Sequence, residues 1–469
     1  MILAAAFLAS ALVQTPDTPA AGDNWPGWRG ANGAGLAAGA PPVEWSEDKN
    51  VRWKIELPGK GISSPVVFDG RVYVTTAIPT GIPTGIPTGI PTGNVEPAPE
   101  PAADAGRGRG RRPSAPISEQ DFLVVAIDHA SGEVIWEALA CTKTPHEGTH
   151  GDGSFATPTM VTDGEQLYAS FGSVGLFAMD MEGDLVWERD LGDMAVTGSF
   201  GEGTSPVLAG DKLVVLWQHD GESFITALST TTGETVWRTD RESGTAWCTP
   251  TIVETKDGTL AIVPGLVTTA YSVADGSVVW THGSEPAIEE PTEQSGRRGR
   301  GGPAGGQRRS GLKGSAVVSN GLLYFSTGSR RGSVIALHLG KQPEGKDQLA
   351  WSMEGNSPDI PSPVIWDGML FAMRGNGLFS ALNATTGESF YLGERMQGLE
   401  AAYASPVAAA GRIYCTDRDG IVEVIEAGKN FKSLAVNTLD DRFDASPAVV
   451  GNTLILRGHH FLYCIAKPN

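Results

Sequence analysis

The sequence predicts an all-β protein, an eight-bladed β-propeller built from four-stranded antiparallel blades. Three observations predict it. A Ser/Thr-Pro pair, an apolar alternating run, a Gly-containing turn and a second alternating run recur eight times along the 469 residues. Most copies end on a Gly followed four residues later by an aromatic. The strand count closes only when the two chain ends share a blade.

The Pro of the repeat stands at Pro65, Pro158, Pro206, Pro250, Pro363, Pro406 and Pro447, with Ala316 in its place in one copy. Each is followed by a strand and a turn such as Asp69-Gly70, Asn320-Gly321 or Asp367-Gly368, whose residues accept positive φ and so close a hairpin. The next run is β-branched and aromatic, as in Arg71-Val72-Tyr73-Val74, and reads as a second strand. A third strand leaves through a turn of the kind Ala126-Ile127-Asp128 to Gly132, where Asp bonds nearby amides and Gly takes the left-handed position. The aromatic that follows, Trp136, Trp187, Trp237, Trp280, Trp351 or Tyr391, is expected to dock a fourth strand against the neighbouring blade, burying a large ring. The chain ends on a third strand, Phe461 to Ala466. Its fourth strand is therefore expected from Val51 to Ile55, with Trp53 as the docking residue, leaving no sheet edge open at the ring closure.

The repeated Ala-x-Asp-x-x-x-Gly-x-x-x-Trp ending resembles the tryptophan-docking repeat of pyrroloquinoline quinone-type propellers, from Trp25 to the end of the chain. The resemblance implies two alternatives. One branch is the quinone-dependent alcohol dehydrogenases. The other is non-catalytic and typified by the lipoprotein of the outer-membrane β-barrel assembly machinery. The opening Trp25-Pro26-Gly27-Trp28-Arg29-Gly30 is similar to that of secreted bacterial proteins with such repeats. A dehydrogenase of this type implies an adjacent Cys-Cys pair against the quinone, calcium ligands and an Asp base. Cys141, Cys248, Cys415 and Cys464 are widely separated, and no residue matches the metal or base positions. No cofactor is expected; pyrroloquinoline quinone with calcium belongs to the alternative alone.

The first 13 residues form an apolar run of signal-peptide length, too short to span a membrane, so residues 1–21 read as an export signal and 22–469 as the propeller. A periplasmic or extracellular protein is expected, a monomer rather than an integral membrane protein. No cysteine follows the apolar run to take a lipid. The net charge of −19 argues against nucleic acid as the main partner, though it leaves room for a local basic patch. Cys415 and Cys464 fall at strand positions held by Val74 and Ala178 in other copies, and are expected to behave as small buried apolar residues, with a disulfide between two of the four left open. Two low-complexity insertions interrupt the repeat, at about 78–118 (Ile-Pro-Thr-Gly repeats, then Arg/Gly) and 285–311 (acidic, then Arg/Gly), both too polar to order themselves.

No G-x-S-x-G, H-E-x-x-H or P-loop is present. His146, His150 and Asp152 form the densest set of metal-ligand residue types, but their Gly-rich surroundings suit a loop better than a zinc-binding helix, and His459-His460 read as a turn. What remains is the axis. If the first strand of each blade lines it, the inner edge has no neighbour and tolerates Pro. Residues just ahead of the Pro should then ring one mouth: Phe155, Glu202, Trp247, Lys313, Asp359, Tyr403 and Asp444, with Arg374 in a nearby loop. Aromatics mixed with charges of both signs suit recognition of another envelope protein or a small ligand. The sequence thus points to an exported, non-catalytic binding or assembly scaffold.

Overall fold

The computed structural model describes residues 24–80, 117–283, 312–328, 332–340 and 347–468. Their strands form eight four-stranded antiparallel arrangements in chain order around a ring, at 66–143, 161–189, 207–241, 251–282, 317–354, 364–395, 407–438 and 448–465. The last, blade 8, has three strands from the C-terminus, and Val51–Glu56 supplies the fourth, with Val51 opposite Ile465 and Glu56 opposite Phe461. The expected export signal and most of both insertions lie outside the described residues. The first insertion begins later than expected. Ile78 and Pro79 still belong to a strand that pairs as far as Pro79 with Gln120, because the second and third strands of blade 1 are nine residues long.

The core is divided among the blade interfaces. One apolar cluster, for example, runs from Ala227 and Trp237 in blade 3 through Ile262 and Tyr271 in blade 4 to Phe325 in blade 5. Each docking aromatic sits opposite a small residue of its own third strand: Ala126 for Trp136, Ala178 for Trp187, Ala227 for Trp237, Cys464 for Trp53. The small partner and a register shift just ahead of the aromatic tilt the ring onto the next blade. There the indole N–H donates to a turn carbonyl: Trp53 to His129, Trp187 to Thr230, Trp237 to Val273, Trp280 to Leu339 and Trp351 to Ala384, at 2.8 to 2.9 Å. The turn glycine lies flat beneath the ring. A Cβ on Gly233, which has φ of 67°, would stand 2.6 Å from Trp187. Trp136 makes no such bond, since Arg71 takes the Met181 carbonyl, and Tyr391 instead packs edge-on against Phe431.

The Ser/Thr of the repeat has a second role. Each backbone N–H at this position donates to the hydroxyl of the next blade: Ser64 to Thr159, Thr159 to Ser205, Ser205 to Thr249, Thr249 to Ser315, Ser315 to Ser362, Ser362 to Ser405, Ser405 to Ser446, and Ser446 back to Ser64, all at 2.8 to 3.2 Å. The hydroxyls close a complete ring. This corrects the register in blade 2. Val161 pairs with Tyr168 as Val66 pairs with Tyr73, so Met160, not Pro158, is the counterpart of Pro65; Thr157-Pro158 is a second Thr-Pro pair that stands two residues ahead of the repeat position.

The inner strand edges of blades 1, 2 and 7 are not free, whereas the sequence reading expected every inner edge to lack a neighbour. Residues 24–40 cross the axis at the hairpin-turn end and bond to them. Trp25 exchanges hydrogen bonds with Val67 in blade 1, Pro26 accepts from Thr162 in blade 2, and Gly35 accepts from Ala408 in blade 7. Leu36–Ala37 adds a parallel strand to blade 7, and Ala40 N–H donates to Asn452 of blade 8. Such a segment carries no repeat pattern and so left no periodic signal. It blocks one end of the channel and leaves the end ahead of the hydroxyl ring as the mouth.

Candidate funnel-mouth binding site

The loops entering the first strands and the turns between second and third strands meet at this mouth. Asp444, two residues ahead of Ser446, is almost wholly enclosed, its side chain 1% exposed. It accepts from Arg418 Nε at 2.6 Å and from His459 Nε2 at 2.8 Å, and Arg442 Nε lies 3.4 Å away. Asp152 bridges the outer side of the same two arginines, 2.9 Å from Arg418 Nη2 and 2.8 Å from Arg442 Nη2, while remaining 35% exposed. Arg418 lies flat on Tyr403, its guanidinium carbon 3.8 Å from the ring centre. Lys60 stands alongside and donates to Gly151 O at 2.9 Å. Burial holds its ammonium below the usual lysine range, against the pull of Asp152 and Asp444, and burial likewise raises the Tyr403 hydroxyl.

The turn bearing His459 is fixed by Asp441, whose carboxylate accepts the backbone N–H groups of Arg442, His459, His460 and Phe461. Gly458 lets this carboxylate approach, since a Cβ there would fall 1.9 Å from Asp441 Oδ2. Paired arginines held by an enclosed carboxylate, with an exposed one on their outer face, form a ready receptor for a carboxylate or phosphate.

The residues expected at the mouth separate into groups. Tyr403 and Asp444 belong to the arginine cluster. Asp359 accepts from Gly375 N–H at 3.0 Å, beside Arg374, which lies half-buried in the turn that Gly375 continues. Trp247 faces Phe200 and donates to Gly201 O at 2.9 Å. Glu202 turns toward blade 2, where both oxygens accept from Ser173, and burial raises its carboxyl. Phe155 packs into the apolar cluster between blades 1 and 2, four residues ahead of Thr159 rather than the two or three of the others, a consequence of the register error at Pro158. Lys313 is exposed.

His146, His150 and Asp152 do not converge on one point. His146, Glu147 and Glu202 bring one ligand atom each to within 4.8 Å of one another, whereas His150 packs on Phe200 and Asp152 is drawn to the arginines. Arg418, Arg442 and Lys60 were not picked out from the sequence, and His459 was read only as part of a turn. Arg418 lies in Thr416-Asp417-Arg418-Asp419-Gly420, a second-to-third strand turn like the one bearing Arg374, and that equivalence was the available signal. The four cysteines are unbridged, with Cys248, Cys415 and Cys464 fully buried. Burial pushes the Cys141 and Cys248 thiols up to about 11 and that of Cys464 to about 12. These are packing residues.

A family model described as outer membrane protein assembly factor BamB matches residues 42–182 and 120–358. Among solved structures, BamB from Moraxella catarrhalis superposes with a TM-score of 0.52 at 16% identity, covering 73% of this chain and 93% of that one. Quinohemoprotein alcohol dehydrogenase from Comamonas testosteroni does so with 0.58 at 11% identity, over 95% and 81%. A europium-containing methanol dehydrogenase gives 0.56 at 12%, over 92% and 89%. At these identities the likeness is one of fold. No curated protein matches the chain in sequence.

Proposed function

This chain belongs to the family of the outer membrane protein assembly factor BamB, and from that premise we propose that it is an exported, non-catalytic binding module whose funnel mouth takes up an acidic group of a protein partner or small ligand. The observation that carries this reading is the pair Arg418 and Arg442. Asp444 holds both from the enclosed side, while the half-exposed Asp152 caps them from a glycine-rich loop. An incoming carboxylate can take the place of Asp152 without disturbing Asp444. The protein carries a net charge of −19, and the grouping of Arg418, Arg442 and Lys60 gives an acidic ligand a set of positive side chains that the chain as a whole does not offer. With the far end blocked by residues 24–40, a ligand enters and leaves by one opening.

Among the solved structures of like fold are dehydrogenases. The cysteines here do not fit a quinone platform: they lie in or beside strands of four different blades, with Cys248 donating to Pro264 O within the core. Isothermal titration with a hexaglutamate peptide tests the binding reading. Wild type should bind, and Arg442→Met, at a site partly open to solvent, should weaken binding at least tenfold, the scale of one lost charge-assisted contact of about 1.5–3 kcal/mol, with an unchanged melting curve. No binding by wild type would sink the proposal. Dye-linked alcohol oxidation after adding pyrroloquinoline quinone and Ca²⁺ would replace it with the catalytic alternative.

A further inference from the structure

We propose that the propeller axis holds a small monovalent inorganic anion, a halide, between the Arg29 guanidinium and the ring of Ser and Thr hydroxyls. Arg29 lies in the segment that blocks the channel and is completely buried. Only Nη2 is used, donating to Pro363 O at 2.8 Å and Pro406 O at 3.1 Å. Nε and Nη1, which together carry three N–H bonds, have no acceptor, and among the described residues no carboxylate pairs with the charge. The face of Trp28, 5.6 Å from the guanidinium carbon, supplies only weak compensation. Burial accordingly pushes the group down to about 9, the mark of a cation without a counter-charge.

The side chain cannot relieve this by swinging out to water. Gly35 lies against it so closely that a Cβ there would be 2.6 Å from Nη2, and the two carbonyls hold its other side. Arg457, the other deeply buried arginine, is likewise pushed down to about 9 by burial but differs in its hydrogen bonds: both of its Nη atoms are spent on Ser63 and Thr75, and Nε alone is left over.

The two carbonyls that hold Arg29 place it next to the ring of hydroxyls. Pro363 and Pro406 directly follow Ser362 and Ser405, members of the hydroxyl ring. Each ring oxygen accepts the N–H of the preceding blade, which leaves its own proton to be donated, and none of the eight donates to a protein acceptor among the described residues. One fixed positive charge, three unpaired N–H bonds and an encircling set of O–H donors call for a species that accepts from several directions and carries one negative charge. A halide does both. A divalent oxyanion would leave a net buried negative charge.

The test uses the full-length protein. Crystals grown in sodium bromide, measured at the bromine absorption edge, should show an anomalous peak on the axis within hydrogen-bonding reach of Arg29 Nε or Nη1. In solution, replacing gluconate by chloride at equal ionic strength should raise the melting temperature by about 2 °C, as expected for a ligand bound by the folded state alone. Arg29→Gln should abolish that difference. If the variant does not fold, the wild-type crystal and the wild-type salt comparison still decide. No axial peak, or melting that is identical in the two salts, overturns the proposal. Since the site lies at the blocked end, it can fail while acidic-peptide binding at the mouth stands, and the reverse.

Discussion

Glu423, in the third strand of blade 7, is fully buried, with one oxygen accepting the Gln397 N–H and the other unpartnered. Burial raises its carboxyl above the usual glutamate range. The folded state therefore keeps this proton to higher pH than the unfolded chain does. Stability from this group is full at acid pH and is lost as pH rises from about 4, where unfolded glutamates ionise, through the folded value. Glu423→Gln removes the titration while keeping an acceptor for Gln397. Its melting temperature relative to wild type should be lowest below about pH 4 and climb by about 1–2 °C toward neutrality. A difference that stays flat across a pH series of thermal melts would contradict this. Residue-level reasoning from sequence succeeded where a position repeats: the docking aromatics, and Cys464 as the small buried counterpart of Ala178, were found because the copies can be compared. It failed at Arg418 and Arg442, whose role exists only once, and at Phe155, where the Thr157-Pro158 pair, two residues ahead of the true repeat position Thr159-Met160, displaced the count.

At the scale of elements, the hairpins and the shared blade were legible because strand alternation, turn glycines and tryptophans all carry a period. The 24–40 segment was not. It is irregular backbone whose hydrogen bonds go to strand edges far away in sequence, and its only advance sign was the Trp-rich opening, read as a family mark rather than as a structural part. Its energetic role is to satisfy inner-edge groups that would otherwise meet the channel. Truncation at residue 45 should leave the eight blades folded but speed amide hydrogen exchange at Val67, Thr162 and Ala408 at least tenfold, with exchange at second-strand amides such as Tyr73 nearly unchanged. Equal protection at the three inner-edge amides would show that residues 24–40 do not hold them.

For the whole molecule, closure matters more than any one interface. Val51–Glu56 covers the edge of Phe461–Ile465, and removing it would expose an unpaired strand rich in apolar residues. Truncation at residue 56 should therefore produce concentration-dependent association in sedimentation velocity, where the 45-residue truncation remains monomeric. Two monomers would mean that the edge is protected by other means. The same pairing has a mechanical consequence. Val51 faces Ile465, so the strands leave their shared blade at the same end, and a force applied to the two termini would unzip that pair one bond at a time rather than shear it. Before that can happen, the N-terminal lead must be drawn out from across the axis, past the Val67, Thr162 and Ala408 contacts. The ring is tied shut by a short strand whose lead lies across one end of the ring. Tension on the termini therefore falls first on residues 24–40, and the pair that closes the ring gives way only after them.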